Sequence, residues 1–149
     1  MVFTVSGRRR ALAGLALVLA TAAIGAVSSP ALAQDPQITA AQFAAREWLA
    51  LSDAGDVQRS YATASPKFQA TMTPQQWADA STKARLPYGA VRQRALAATQ
   101  ATSQVPNLPE GAYVLLMYRT SFANRDAAET ITMERSADGA WRLVGYSIR

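Results

Sequence analysis

Residues 111–149 alternate and turn in the manner of a three-stranded antiparallel meander, and the rest of the chain has to fit around it. The strands expected are Tyr113–Phe122, residues 130–135 and Trp141–Ile148, all rich in aliphatic, aromatic or β-branched side chains. Ala137-Asp138-Gly139 supplies a hairpin turn between the last two, and residues 123–127 read as a polar loop between the first two. The first strand is apolar on both alternating rows. Tyr113, Leu115 and Met117 lie on one row, and Val114, Leu116 and Tyr118 on the other. A strand with one wet face would alternate with polar residues instead.

Upstream, residues 91–102 are rich in Ala, Thr and Gln, and residues 94–98 have helical propensity. The turn at 106–111 leads straight into the strong strand, so the spacing predicts a long, weakly amphipathic strand over 91–102. Before it come helices. Thr39 with Gln42 forms a capping box, Ile38 and Phe43 occupy staple positions, and Gly55 ends the helix. Its buried stripe is narrow: Ala41, Ala44, Ala45, Trp48 and Ser52. Asp56 caps a short second helix over 57–63, which Ser65-Pro66 breaks, and residues 67–69 read as an irregular connection. Thr73, Pro74 and Gln76 start a third helix that runs to about Arg85, with Met72 and Trp77 as its staple. The fold class expected is α+β: two to three N-terminal helices packed on a curved three- to four-stranded antiparallel sheet.

The first 33 residues read as an export tag. Arg8, Arg9 and Arg10 precede the apolar run 11–27, and Ala31-Leu32-Ala33 is a small-residue cleavage site. Cleavage is expected after Ala33, leaving one α+β domain over 34–149 in the periplasm or outside the cell, without a membrane anchor. The adjacent arginines raise the twin-arginine route beside the general secretory one. Three of the 15 basic residues leave with the tag, so 12 face 10 acidic ones and the net charge falls from +5 to +2. That is too little, and too scattered, for nucleic-acid binding.

The chain has no cysteine and no histidine. Thiol nucleophiles, Ser-His-Asp triads and Cys/His zinc sites are therefore excluded, and the domain has to hold itself by its core alone. Asp53 and Asp56 flank Gly55, but their spacing fits no calcium loop and helix capping accounts for them; no metal site and no cofactor is expected. Trp48, Tyr61 and Trp77 stand at spacings more typical of core than of a ligand pocket.

In the simplest register, Tyr113, Leu115, Met117, Arg119, Glu129, Ile131, Met133, Val144, Tyr146 and Ile148 share one face, the seat for the helices. Arg119, Glu129 and Tyr146 then gather at its end, with Arg94 beside them from the preceding strand. This cluster is either the mouth of a binding pocket or a bonded network closing the core. The other face would carry Val114, Leu116, Tyr118, Phe122, Trp141 and Leu143, an apolar surface suited to a homodimer.

Several segments together resemble the bacterial domain-of-unknown-function family 4019. They are Trp48-Leu49-Ala50-Leu51 with Asp53-Ala54-Gly55-Asp56, Ala64-Ser65-Pro66 with Phe68, Gln76-Trp77, Gly111-Ala112-Tyr113-Val114, Phe122 with Glu129, and the ending from Asp138-Gly139-Ala140-Trp141 through Arg142-Leu143-Val144-Gly145-Tyr146. The resemblance covers about residues 40–149. It implies an exported protein of uncharacterised role with a nuclear-transport-factor-2-like or cystatin-like architecture, and it supplies no catalytic residues. Three functions remain open at this point. One is a non-catalytic periplasmic domain for a small ligand or envelope partner. Another is an isomerase- or lyase-type enzyme with Glu129 or Asp53 as base and Tyr146 as donor. The third is a structural envelope homodimer.

Overall fold

The computed structural model describes residues 35–149, so the expected export tag and its cleavage site lie outside the described residues. Four helices precede four strands: α1 (Pro36–Asp53), α2 (Val57–Ala62), α3 (Pro66–Thr71), α4 (Pro74–Arg85), β1 (Val91–Thr102), β2 (Tyr113–Phe122), β3 (Asp126–Arg135) and β4 (Trp141–Ile148). The strands form one antiparallel sheet in the order β1-β2-β3-β4. The α+β class and the four-stranded antiparallel sheet are as expected. Among the described residues no helix is long and apolar enough to cross a membrane.

Local chemistry explains most helix boundaries. Thr73 caps α4 with a complete capping box to Gln76, and Pro74 occupies the first turn where its missing N–H costs nothing. Gly55, at φ 70°, ends α1 in the left-handed conformation that favours glycine. Three expectations need correction. α1 starts at Pro36, not after Thr39, because the Asp35 carboxylate accepts from the Gln37 N–H and caps the helix one turn earlier. Phe43 is 55% exposed and staples nothing. Residues 67–69 are helical, since Ser65 accepts from the Phe68 N–H and Pro66 opens α3 just as Pro74 opens α4.

The helices pack on one face of the sheet. The core joins Ala41, Ala45, Trp48 and Leu49 of α1, Phe68 of α3 and Trp77 of α4 to Val114, Leu116, Tyr118, Ile131, Met133 and Leu143. This reverses the expected facing of β2. Val114 pairs with Met133, Leu116 with Ile131 and Tyr118 with Glu129, so even-numbered positions of β2 join odd-numbered positions of β3 on the helix side. A slip of one residue sends every side chain of a strand to the other face. Val114, Leu116, Tyr118 and Phe122 are therefore core, as is Leu143, and the homodimer surface expected on them does not exist. Leu115, Met117 and Arg119 lie on the opposite, outer face, where the other strands place Ala95, Ala98, Gln100, Ala128, Thr130, Thr132, Gly145 and Ser147. The register shift around Val144 sets both Leu143 and Tyr146 toward the helices.

Candidate functional site

Six elements deliver polar side chains to one end of the core. Ser52 and Asp53 come from the last turn of α1, Arg85 from the last residue of α4, Arg94 from β1, Thr120 from β2, Glu129 from β3 and Tyr146 from β4. Arg85 is well placed electrostatically, since a helix C-terminus carries partial negative charge.

Glu129 is the centre of the group. Its side chain is 0% exposed. Oε2 accepts from Arg94 Nε at 2.7 Å and from the Thr120 hydroxyl. Oε1 accepts from the Tyr146 hydroxyl at 2.7 Å and from Arg94 Nη2 at 3.2 Å, and Arg85 Nη1 lies 3.6 Å from it. Asp53 forms the second anionic position. It accepts from Arg94 Nη1 at 2.6 Å and Nη2 at 3.0 Å, and from Arg85 Nη2 at 2.6 Å. Arg85 Nη1 also donates to the Tyr146 hydroxyl at 3.0 Å and to Ser52 Oγ at 3.2 Å.

Two arginines and two carboxylates thus alternate around a closed circuit whose formal charges cancel. Burial opposes the charge on Arg94, but hydrogen bonds to Asp53 and Glu129 more than offset that and hold its pKa above the ordinary value. Burial, with the adjacent Glu129 carboxylate, pushes the Tyr146 phenol above its ordinary range, so it remains a proton donor. The Glu129 carboxylate thus accepts four hydrogen bonds, two of them from a guanidinium, and both of its oxygens are occupied by donors within the protein. A recess of about 330 Å³ beside the circuit is lined by Ser52, Asp53, Trp77 and Arg85 among others, but not by Glu129 or Tyr146.

Of the four residues expected to form a site, Arg94, Glu129 and Tyr146 come together. Glu129 and Tyr146 meet diagonally, since Tyr146 pairs with Ile131 and Glu129 with Ile148. Arg119 does not join them. It pairs with Ala128 and Ala95 on the outer face, where it is exposed. Arg85 takes the place expected of it. Sequence reasoning missed Arg85, Ser52 and Thr120, and treated Asp53 as a lone candidate base or cation ligand. Asp53 is bonded to both arginines, and Asp56 caps α2 through the Arg59 N–H. The one available signal was that Asp53 and Arg85 each close a helix on the layer covering Glu129.

The wider comparison adds family membership and no more. No curated protein and no solved structure matches the chain. Residues 44–146 match the family model described as a protein of unknown function, DUF4019, a span holding every member of the circuit. This chain therefore belongs to the DUF4019 family of proteins of unknown function.

Proposed function

We propose that the chain is an exported, non-catalytic interaction domain of the bacterial periplasm, whose outer sheet face meets a partner. One observation carries this reading: apart from the end where Lys67 of α3 bonds the buried Glu134 and Tyr113, the helices leave the outer face of the sheet open, and that open part holds two complete uncharged rows. Gln100, Leu115, Thr132 and Gly145 form one row, and Ala98, Met117, Thr130 and Ser147 the next. Met117 is 37% exposed there. Uncharged rows with an exposed thioether have the composition of a recognition surface rather than of a solvated one.

The competing enzyme reading requires Glu129 to take a proton from a substrate. Its four hydrogen bonds and complete enclosure oppose that, and a chain with no histidine or cysteine has few other bases to offer. Export rests on the N-terminal sequence alone, and mature protein recovered from the exported fraction should begin at Gln34.

The test compares two variants of the exported protein. Met117→Lys is expected to keep the thermal midpoint near wild type and to abolish association seen by native mass spectrometry of the periplasmic fraction. Glu129→Gln is expected to lower the midpoint while association persists. A turnover or proton-exchange activity lost on Glu129→Gln at temperatures where the variant is folded would overturn the proposal.

A further inference from the structure

On the outer face, beyond the uncharged rows, stand two charges of opposite sign that answer no other side chain. Arg119 sits between Ala95 on β1 and Ala128 on β3, and Asp126 sits opposite Ser121 at the start of β3. Among the described residues neither side chain has a hydrogen-bond or ion-pair partner, whereas Arg85, Arg94 and Arg142 are all paired with carboxylates. The alanines on either side of Arg119 do not fill the space beside it. A recess of about 470 Å³ remains, lined by Gln93, Ala95, Arg119, Ser121, Asp126 and Ala128 among others.

Arg119, Ala128, Ser121 and Asp126 form the corners of a square on the sheet, with the two charges on one diagonal and the two small residues on the other. That arrangement is self-complementary. A two-fold axis lying along the Ser121–Ala128 diagonal, between two such faces, brings each Arg119 over the Asp126 of a second copy. It sets Ala128 against its own counterpart, where the absence of bulk allows close approach. We infer that the occupant of the outer face is a second copy of this chain, held by two reciprocal Arg119–Asp126 ion pairs around the alanine-lined recess. This rests on the interaction reading and names its partner.

The area available sets the strength. Four strands about 4.8 Å apart, each contributing about eight residues of about 3.3 Å, give a whole face of about 500 Å², of which an axis at the Arg119–Asp126 end overlaps only a part. A standard stable interface uses about 800 Å² per partner. The dimer is therefore expected to be weak, dissociating on dilution through about 1–100 μM and, because exposed ion pairs are screened, weakening at high salt.

The decisive experiment is sedimentation equilibrium on the mature protein. Wild type should show a concentration- and salt-dependent dimer. Arg119→Asp and Asp126→Arg should each be monomeric, because each sets like charges face to face, and the double swap Arg119→Asp with Asp126→Arg should restore the dimer. All these positions are exposed, and unchanged thermal midpoints will show that the variants fold. As a second measurement, Ala128→Cys introduces the chain's only cysteine. A short bis-maleimide should join it to its own counterpart at concentrations where the dimer forms. A wild type that stays monomeric at about 200 μM in low salt would overturn the proposal, as that lies above the expected range. So would single swaps that leave a dimer intact. A monomer that still binds another exported protein through Met117 would end the second-copy inference and leave the interaction reading standing, whereas Glu129-dependent turnover would end the latter.

Discussion

The Tyr146 hydroxyl donates to Glu129 Oε1 across 2.7 Å while accepting from Arg85 Nη1 at 3.0 Å, so one phenol links a buried anion to a cation from another layer. Tyr146→Phe removes that link without changing the ring, which packs on Trp48 with centroids 5.3 Å apart. Glu129 loses one donor and Arg85 one acceptor. The expected cost is about 1–3 kcal/mol, the usual penalty for leaving a buried partner unsatisfied. Urea denaturation should show a lower midpoint with an unchanged slope, since the exposed surface on unfolding is the same.

The same phenol makes stability sensitive to alkali. Its folded pKa is raised by burial and by Glu129, and Tyr118 is raised in the same direction by burial. A group whose folded pKa exceeds its unfolded value contributes fully below the unfolded pKa and loses that contribution as pH climbs toward the folded value. The unfolded value for tyrosine is about 10, so stability should be flat around neutrality and fall above about pH 10. Each proton retained only in the folded state steepens the fall by up to about 1.4 kcal/mol per pH unit. Tyr146→Phe should remove its share of that slope in denaturation curves taken from about pH 9 to 11, leaving the parts due to Tyr118 and to Lys67, whose ammonium is held above its ordinary range by the hydrogen bond to Glu134.

Glu129 and Asp53 occupy equivalent positions between the same two arginines, but their burial differs: 0% against 27% side-chain exposure. Glu129→Gln leaves Arg94 and part of Arg85 uncompensated in the interior and should cost about 3–5 kcal/mol. Asp53→Asn leaves the same cations where water can reach, and should cost about 1–2 kcal/mol. Thermal unfolding of the two variants at pH 7 checks the order. An Asp53 variant the less stable of the two would mean that the circuit is held from its rim rather than from its centre.

The contrast between Asp53 and Glu129 also shows what could be seen in the sequence. Signals confined to one turn were legible: Thr73-Pro74-Gln76 starts a helix through contacts three residues apart. Ser65-Pro66 carries the same chemistry, but a proline shortly after a helix reads equally well as the breaker of that helix as the start of a new one. The sheet face depended on a loop length. β3 begins at Asp126 and the Phe122 N–H bonds Arg125 O, which leaves a three-residue connection and joins even to odd positions. Reading the loop as running through Ala127 gave the opposite facing, and with it Arg119 in the place that Thr120 and Arg85 fill. The bonds from Asp53 to Arg85 and Arg94 span 32 and 41 residues, a separation over which periodicity carries no information.

Above the circuit, α2 locks α1 and α4 together through a single serine. Ser60 of α2 is 1% exposed and serves both core tryptophans: Trp48 Nε1 donates to its carbonyl at 2.8 Å and Trp77 Nε1 to its hydroxyl at 3.0 Å. Ser60→Ala keeps the carbonyl but orphans the Trp77 indole N–H, at an expected cost of about 1–3 kcal/mol. The loss should be conditional. In a Trp77→Phe background no N–H remains to be orphaned, so adding Ser60→Ala there should cost only what the hydroxyl's own bond to Val57 O contributes, about 1 kcal/mol or less. A double-mutant cycle by urea denaturation should therefore give a coupling of about 1 kcal/mol or more between the two positions. Strict additivity would mean that Trp77 finds another acceptor once Ser60 is gone, and that α2 is held to α4 by ring packing alone.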